Sequence, residues 1–189
     1  MIERFFAYYK SPIGLIEISG AKKGIQAVTF LKKKGARATK IHPCLRNCCR
    51  QLDEYFKGKR KVFSLKLDIR GTDFQQRVWR QLVKIPYGQT ASYGDVARAI
   101  GNEKAVRAVG NANGNNPIGI IIPCHRVIGS NGDMVGFGGG IWRKKWLLRH
   151  EMGTFSKEDG KAVIAKNGVT KQSPKSEKGG KGAKSAKHK

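Results

Sequence analysis

A cysteine and a histidine stand side by side at the end of an apolar stretch, in the run from Ile120 to Val127. A thiol with an ordinary pKa of about 8.5 is only a few per cent ionised at neutral pH, so a nucleophilic cysteine needs a nearby base or a cationic environment. His125 and Arg126 could supply both to Cys124. Neighbouring side chains in an uninterrupted strand point to opposite faces, so this chemistry requires the apolar strand to end in a turn at the cysteine. Pro123 is consistent with such an ending.

None of the four cysteines has to be reactive. A lone intracellular cysteine is often a small buried residue that caps a core strand, and this alternative stays open for Cys124. Cys44, Cys48 and Cys49 lie close to His42 in the sequence. Their clustering resembles neither a disulfide framework nor a tetrahedral metal site, so we expect no bound metal and interpret the three as one face of a helix.

The chain is strongly basic, with 38 Lys and Arg against 13 Asp and Glu and a formal net charge of +25. Such an excess predicts an anionic polymer as partner, and we favour nucleic acid. Residues 154–189 hold ten lysines and three acids among Gly, Ser and Ala, so we expect this tail to be disordered. The preceding 153 residues keep a charge of about +18. For the tail, lysines that only solubilise the chain or belong to a salt-adapted proteome are the alternative.

A length of 189 residues suits one medium domain or two small ones with a genuine core. No apolar run approaches the ~18 residues of a membrane span, and the amino terminus begins like a strand rather than a signal peptide. We therefore expect a cytoplasmic protein without membrane association, or a nuclear one if its source is eukaryotic.

The first part of the chain predicts a small α/β domain. Alternating apolar and polar residues, typical of an antiparallel sheet, occur at residues 5–9, 14–18 and 24–31. A helix is predicted over Pro43–Phe56 and a further strand over residues 62–67. The expected fold class is α+β, with an amino-terminal domain at 1–70, a mostly helical domain at 71–152 and the tail at 153–189.

The second domain begins with a helix whose start is marked by Thr72 and Gln75, which have the spacing of a capping box. This helix must end before Pro86. From there to residue 152 we expect mostly helical structure.

Two short helices joined by a tight turn are predicted over residues 90–101 and 102–113, which makes a helix-turn-helix candidate. The second helix exposes small residues such as Ala108, which would let its backbone come close to DNA with little sequence discrimination. Arg107 is then the single large projecting group. Ordinary helix packing through alanines is the alternative.

The motifs of the second half resemble, in type and order, one family: the O6-alkylguanine-DNA alkyltransferases, also called methylated-DNA-protein-cysteine methyltransferases. The resemblance runs from Asp73 to Glu151, and its most specific part is Pro-Cys-His-Arg-Val at residues 123–127. The other matching motifs are Phe74-Gln75, Ile85-Pro86-Tyr87-Gly88, Ser92-Tyr93, residues 105–110, Asn116-Pro117, residues 136–139 and residues 146–151. The first seventy residues match only in architecture, as the family's ribonuclease H-like domain, and the tail lies outside the resemblance.

The resemblance implies DNA repair by a suicide reaction without a cofactor, on O6-alkylguanine and as a further candidate O4-alkylthymine. Cys124 would accept the alkyl group, His125 would deprotonate it through a water, and Glu151 would orient and stabilise His125. Because a thioether does not hydrolyse, each molecule would act once.

Three more residues are implied near the chemistry. Asn116 would tie the turn that joins the recognition helix to the active-site strand. Tyr93 and Lys144 would donate a proton to the leaving base or contact the base and phosphate.

The implied partner is double-stranded DNA, bound by a monomer through the minor groove with the damaged nucleotide flipped out. Arg107 would fill the vacated space, and its small neighbour Ala108 would allow the approach. Asn102, Ser130 and Tyr93 match positions that touch the DNA backbone.

The implied substrate pocket is lined by Val127, Phe137, Gly138 and Gly139. Phe137 departs from the family, which usually has tyrosine there, so a hydroxyl that could assist the leaving oxygen is missing. We expect slower transfer rather than loss of function. Gly138, without a side chain, suggests room for adducts larger than methyl.

Two other classes remain as alternatives. A cysteine hydrolase could use the same Cys124, His125 and Glu151, but it has no use for a helix-turn-helix with one projecting arginine. A DNA-binding regulator or architectural protein would explain the charge and the tail, with Cys124 as a core residue. Alkylation of the cysteine by damaged DNA separates these classes from repair.

Overall fold

A three-stranded antiparallel sheet opens the fold in the computed structural model, which describes residues 3–31 and 41–154. Its strands, in spatial order, are β1 (Phe5–Ser11), β2 (Gly14–Ala21) and β3 (Gly24–Phe30). The register pairs Ala7 with Ile18 and Ile18 with Val28. Paired residues share a face of a sheet, so these three buried side chains form one apolar layer. The predicted sheet is confirmed.

Helix α1 (Pro43–Phe56) has the predicted bounds and packs against the sheet. The His42 side chain caps it by accepting a hydrogen bond from the Cys44 amide, and Pro43 occupies the first turn, where its missing amide is not needed. Its buried face includes Leu45, Cys48, Leu52 and Tyr55. All three clustered cysteines lie on this helix as expected, with Cys48 buried and Cys44 and Cys49 partly exposed, so they do not share one buried face.

The strand predicted over residues 62–67 is wrong. Among the described residues this segment forms one isolated bridge, between Leu67 and Ile25. The Gln51 side chain takes both polar groups of the Ser64 backbone, because its Nε2 donates to the carbonyl at 2.9 Å and its Oε1 accepts from the amide at 2.8 Å. A side chain thus replaces the neighbouring strand as the hydrogen-bond partner.

The second domain contains four α-helices: α2 (Asp73–Leu82), α3 (Tyr93–Ala99), α4 (Val106–Gly114) and α5 (Ile141–Met152). The capping box at the start of α2 is confirmed. The Gln75 amide donates to Thr72 Oγ1 at 3.2 Å, and the Thr72 amide donates back to Gln75 Oε1 at 2.9 Å. This reciprocal pair satisfies two amides that have no partner within the helix.

The predicted helix pair is present as α3 and α4, although α4 begins at Val106, after a 3-10 turn over Glu103–Ala105. Gly101 ends α3 with a φ of +73°, a left-handed conformation that glycine adopts without strain. The Trp79 indole of α2 donates to the Ala112 carbonyl at 2.8 Å and fixes α4 against the first helix of the domain.

Residues 115–140 contain much less helix than expected. They form turns, a 3-10 turn at Cys124–Arg126 and the short strand β5 (Val127–Ile128), which pairs in parallel with β4 (Ala91–Ser92). The apolar run at 120–122 is a buried turn and not the predicted strand, and Ile120 has a φ of +72°. Hydrophobic periodicity cannot distinguish these two ways of burying a short apolar run.

No helix within residues 3–31 and 41–154 is long and apolar enough to cross a membrane. The predicted disorder of the tail concerns residues that lie outside the described part of the chain.

Removing the cap of α2 should measurably destabilise the fold. We expect Thr72→Ala to lower the free energy of unfolding by about 1 kcal/mol, because the exposed Gln75 amide loses its acceptor. Thr72→Ser keeps the oxygen and should remain near wild type. Urea unfolding followed by circular dichroism checks this, and an equal loss in both variants would contradict the capping role.

Candidate active site

A tight turn presents Cys124. The 3-10 turn that begins at this residue follows a bend in which the Cys124 amide donates to the Ile122 carbonyl at 2.8 Å. Asn116 holds that bend, because its Nδ2 donates to the Ile122 carbonyl at 2.8 Å and its Oδ1 accepts from the Ile118 amide at 3.0 Å. The turn that a reactive cysteine requires is therefore built from a side chain eight positions upstream.

The thiol of Cys124 is nearly enclosed, and the residue is 5% exposed. Burial raises the pKa of the Cys124 thiol. A hydrogen bond from Asn116, the positive charge of Lys144 and the amides of Cys124 and His125 act in the opposite direction. Burial wins, so the thiol is protonated at rest and needs a base.

His125 is completely buried, and within residues 3–31 and 41–154 its ring has one hydrogen-bond partner, since Nε2 lies 2.8 Å from Glu151 Oε1. Burial lowers the pKa of His125 despite the nearby carboxylate, so the ring is neutral at pH 7. A neutral imidazole whose Nε2 faces a carboxylate carries its proton there, which leaves Nδ1 as an acceptor. Nδ1 is buried and has no hydrogen-bond partner among the described residues. It is a base with an unused lone pair.

The carboxylate of Glu151 accepts five hydrogen bonds. The donors are Tyr55 Oη at 2.8 Å, His125 Nε2 at 2.8 Å, Arg126 Nε at 2.7 Å, Arg126 Nη2 at 3.0 Å and the Gly88 amide at 3.1 Å. Burial by itself would raise the pKa of Glu151, but the hydrogen bonds from His125 and Arg126 and the positive charge of Arg126 hold this pKa well below its ordinary value. Glu151 is therefore ionised and fully paired.

The sequence prediction for Arg126 was wrong in one respect, because its charge does not serve the thiol. Its guanidinium binds Glu151 and donates to the Ile85 carbonyl at 2.6 Å. The cation that acts on Cys124 is Lys144. Tyr55 was missed altogether, and its separation of 96 residues from Glu151 leaves no local pattern that could have revealed it.

Tyr93 and Lys144, the predicted proton donors, converge on one carbonyl. Tyr93 Oη donates to the Val135 oxygen at 3.1 Å and Lys144 Nζ donates to the same oxygen at 2.6 Å. Burial, with a smaller effect of the Cys124 charge, raises the pKa of Tyr93. Burial lowers the pKa of Lys144 to about 8, against the influence of Cys124. Both groups therefore interact electrostatically with Cys124, and both hold the backbone at Val135.

The predicted pocket residues differ in burial. Val127 is buried in β5, Phe137 is half-buried with its ring edge toward Phe30 at 6.4 Å, and Gly138 is exposed. A Cβ added to Gly139 would lie 2.6 Å from the Phe137 ring and 2.8 Å from the Phe30 ring. No side chain fits at that position without moving an aromatic ring.

Four of the five predicted DNA contacts are exposed, and the fifth, Tyr93, is half-buried. The exposed residues are Arg107, Ala108, Asn102 and Ser130. Arg107 is the second residue of α4, and six residues later the buried Asn113 donates from Nδ2 to the Cys124 carbonyl at 3.3 Å. At about 1.5 Å of rise per residue, ~9 Å of helix separate the projecting arginine from the residue that touches the cysteine backbone. Asn113 was not singled out from the sequence.

Two family models cover almost the whole described chain. The DNA-binding domain of 6-O-methylguanine DNA methyltransferase matches residues 73–153, and the ribonuclease-like domain of the same proteins matches residues 5–69. The chain belongs to the 6-O-methylguanine DNA methyltransferase family. A member from Methanosarcina acetivorans, a methylated-DNA-protein-cysteine methyltransferase, is 45% identical over 154 residues, which are 78% of this chain and 97% of the relative.

Solved structures of the family have the same fold. The O6-methylguanine methyltransferase of Mycobacterium tuberculosis superimposes with a TM-score of 0.73 at 43% identity, over 82% of this chain and 96% of the other. A structure of the same bacterium's OGT in complex with DNA gives a TM-score of 0.74 at 42% identity, over 84% and 98%. The α+β architecture predicted from the motifs is confirmed for the described residues.

The neutral, buried His125 should make stability depend on pH. The unfolded state binds a proton at this residue below about pH 6.5, whereas the folded state resists it because the pKa of His125 is lowered. The free energy of unfolding should therefore fall as the pH drops below about 6.5, by at most ~1.4 kcal/mol per pH unit for this group.

Urea unfolding between pH 7.5 and 5.5 at constant ionic strength measures this dependence. His125→Gln is the control, since its amide can still donate to Glu151 but does not titrate. The variant should lose this part of the slope, and an identical slope in both proteins would contradict the assignment of a neutral His125.

Proposed function

We propose that this chain repairs DNA directly, by transferring the alkyl group of O6-alkylguanine to the sulfur of Cys124. The observation that carries the proposal is the buried Cys124, held in a turn beside Lys144 and followed by a His125 whose ring is bound to Glu151. Membership of the methyltransferase family and the net charge of +25 support DNA as the partner.

The proposed reaction is a displacement at the alkyl carbon. The thiol proton of Cys124 passes through a water to Nδ1 of His125, and Glu151 stabilises the resulting imidazolium. The sulfur forms a bond to the alkyl carbon while the bond from that carbon to O6 breaks, and its electron pair stays on the guanine. The guanine anion then takes up a proton. Because the thioether is stable, the protein is consumed after one transfer.

Tyr93 and Lys144 are the donors available to the departing guanine. Both bind the Val135 carbonyl in the free protein, so each can exchange this partner for the base when the pocket fills. Lys144 suits the role because burial brings its pKa to about 8, close to working pH. Phe137 can line the pocket or stack on the base but provides no hydroxyl, so Tyr93 and Lys144 are the proposed proton donors to the departing guanine.

The alkylated O6 atom lies inside a base stack, so the nucleotide has to leave the helix to reach Cys124. Arg107 is exposed at the start of α4 and would occupy the space that the base vacates, entering through the minor groove. The small side chain of Ala108 would let the α4 backbone come close to the DNA. Asn102 and Ser130 would contact the DNA backbone on either side, and one protein molecule suffices for one lesion.

Intact-protein mass spectrometry tests the proposal. After incubation with a duplex that contains one O6-methylguanine, wild type should gain the mass of one methylene at a 1:1 ratio, on Cys124 only. Cys124→Ser should gain nothing, because a serine hydroxyl is far less ionised than a thiol at this pH. The same duplex with unmodified guanine is the control substrate.

Retained duplex binding without any mass gain would contradict repair and favour a protein that only binds DNA. A gain on Cys44, Cys48 or Cys49 instead of Cys124 would contradict the assignment of the acceptor.

A further inference from the structure

We propose that Arg143 is a positioning residue that sets the size selectivity of the alkyl pocket, by holding the glycine loop (residues 136–140) against the amino-terminal domain. This inference rests on the proposed function and goes beyond it, because Arg143 carries no role in the transfer described above.

Arg143 bridges two backbone carbonyls from different domains. Its Nη1 donates to the Gly139 oxygen at 2.6 Å, and its Nε donates to the Ile13 oxygen at 2.8 Å. The guanidinium also lies 4.8 Å from the ring centroid of Phe30 and 4.4 Å from that of Trp142. A planar fork between two aromatic rings and two fixed acceptors has little freedom to move.

The amino-terminal domain is shaped to receive this arginine. Gly14, which ends the tight turn after β1 and begins β2, has a φ of +118°, and a Cβ there would lie 3.0 Å from Arg143 Nη2. Any other residue would be strained in this conformation and would crowd the guanidinium. The turn thus supplies both the Ile13 acceptor and the space for the donor.

In the proposed function the glycine loop forms part of the pocket wall, through Phe137, Gly138 and Gly139. Its preceding residue, Val135, is bound through its carbonyl by Tyr93 and Lys144, the two groups that interact electrostatically with Cys124. Its other end is bound at Gly139 by Arg143. The loop is therefore anchored at two points, and one of them depends on the amino-terminal domain.

Anchoring at Gly139 also fixes the aromatic packing of the loop. The Phe137 and Phe30 rings pack against Gly139 and leave no room for a side chain there, so the position of the loop backbone is coupled to the packing of these rings. Loss of the Arg143 anchor would let the loop and Phe137 move outward. A looser wall positions a methyl group less well for attack and accepts a larger group more easily.

Charge attraction to DNA is a different explanation for a basic residue on α5, and the geometry argues against it. Arg143 is half-buried, and its Nε and Nη1 donate to the Ile13 and Gly139 carbonyls. Burial also lowers the pKa of its guanidinium. Lys145, two positions further, is exposed and represents the case of charge alone.

Single-turnover rates on duplexes with O6-methylguanine or O6-benzylguanine test the inference. Arg143→Met should slow methyl transfer about tenfold, because the loop loses a charge-assisted hydrogen bond. Benzyl transfer should fall less, so the benzyl-to-methyl rate ratio should rise by about threefold or more. Amides of residues 136–140 should also exchange with solvent faster in this variant.

Two matched variants separate fork geometry from charge. Lys145→Met removes one positive charge from the same helix and should keep the wild-type ratio. Arg143→Lys keeps the charge but replaces the planar fork, whose separate nitrogens bind the two carbonyls, by a single ammonium, so it should resemble Arg143→Met. If circular dichroism shows that Arg143→Met does not fold, the benzyl-to-methyl rate ratio of Arg143→Lys is compared with that of wild type instead.

An unchanged rate ratio in a folded Arg143→Met, or wild-type behaviour of Arg143→Lys, would overturn the inference while leaving repair intact. Absence of Cys124 alkylation in wild type by both duplexes would instead refute the proposed function, and the inference with it.

Discussion

One buried carboxylate has to stay charged for the rest of this site to exist. Moving a carboxylate out of water costs several kcal/mol, and the cost is offset only when donors satisfy both oxygens. Glu151, whose side chain is 0% exposed, meets this condition with donors from Tyr55, His125, Arg126 and Gly88. Breaking such a buried pair costs about 3–5 kcal/mol, because the remaining charge is uncompensated. The same interaction therefore joins the two domains and orients the histidine.

The state of the thiol follows from that arrangement. Arg126 compensates the negative charge of Glu151, and burial keeps His125 uncharged with a lone pair on Nδ1. Burial raises the pKa of Cys124, so the sulfur is a protonated thiol until a base acts on it. This restraint fits the proposed single-turnover reaction, because a protonated thiol reacts slowly with stray electrophiles. Lys144 adds the positive charge that the thiolate needs once it forms.

Local sequence patterns predicted the elements whose causes are local. The cap at Thr72 was found from spacing alone, since it depends on residues three positions apart. The prediction of a strand at residues 62–67 was wrong, because the Gln51 side chain bonds the Ser64 amide and carbonyl that a neighbouring strand would otherwise have bonded. The motif resemblance identified Cys124, His125 and Glu151 as candidate site residues. It could not identify Tyr55, because the Tyr55 hydroxyl contacts Glu151 only after the two domains pack together.

The tautomer of His125 is the most direct test of this account, and nitrogen NMR of the protein labelled with 15N-histidine measures it. The His125→Gln variant identifies the resonances of this ring. At pH 7.5 we predict a neutral imidazole with its proton on Nε2, bound to Glu151, and a bare Nδ1 ready to accept the thiol proton. A proton on Nδ1, in either the other neutral tautomer or an imidazolium, would contradict the account, because no base would then be available to Cys124.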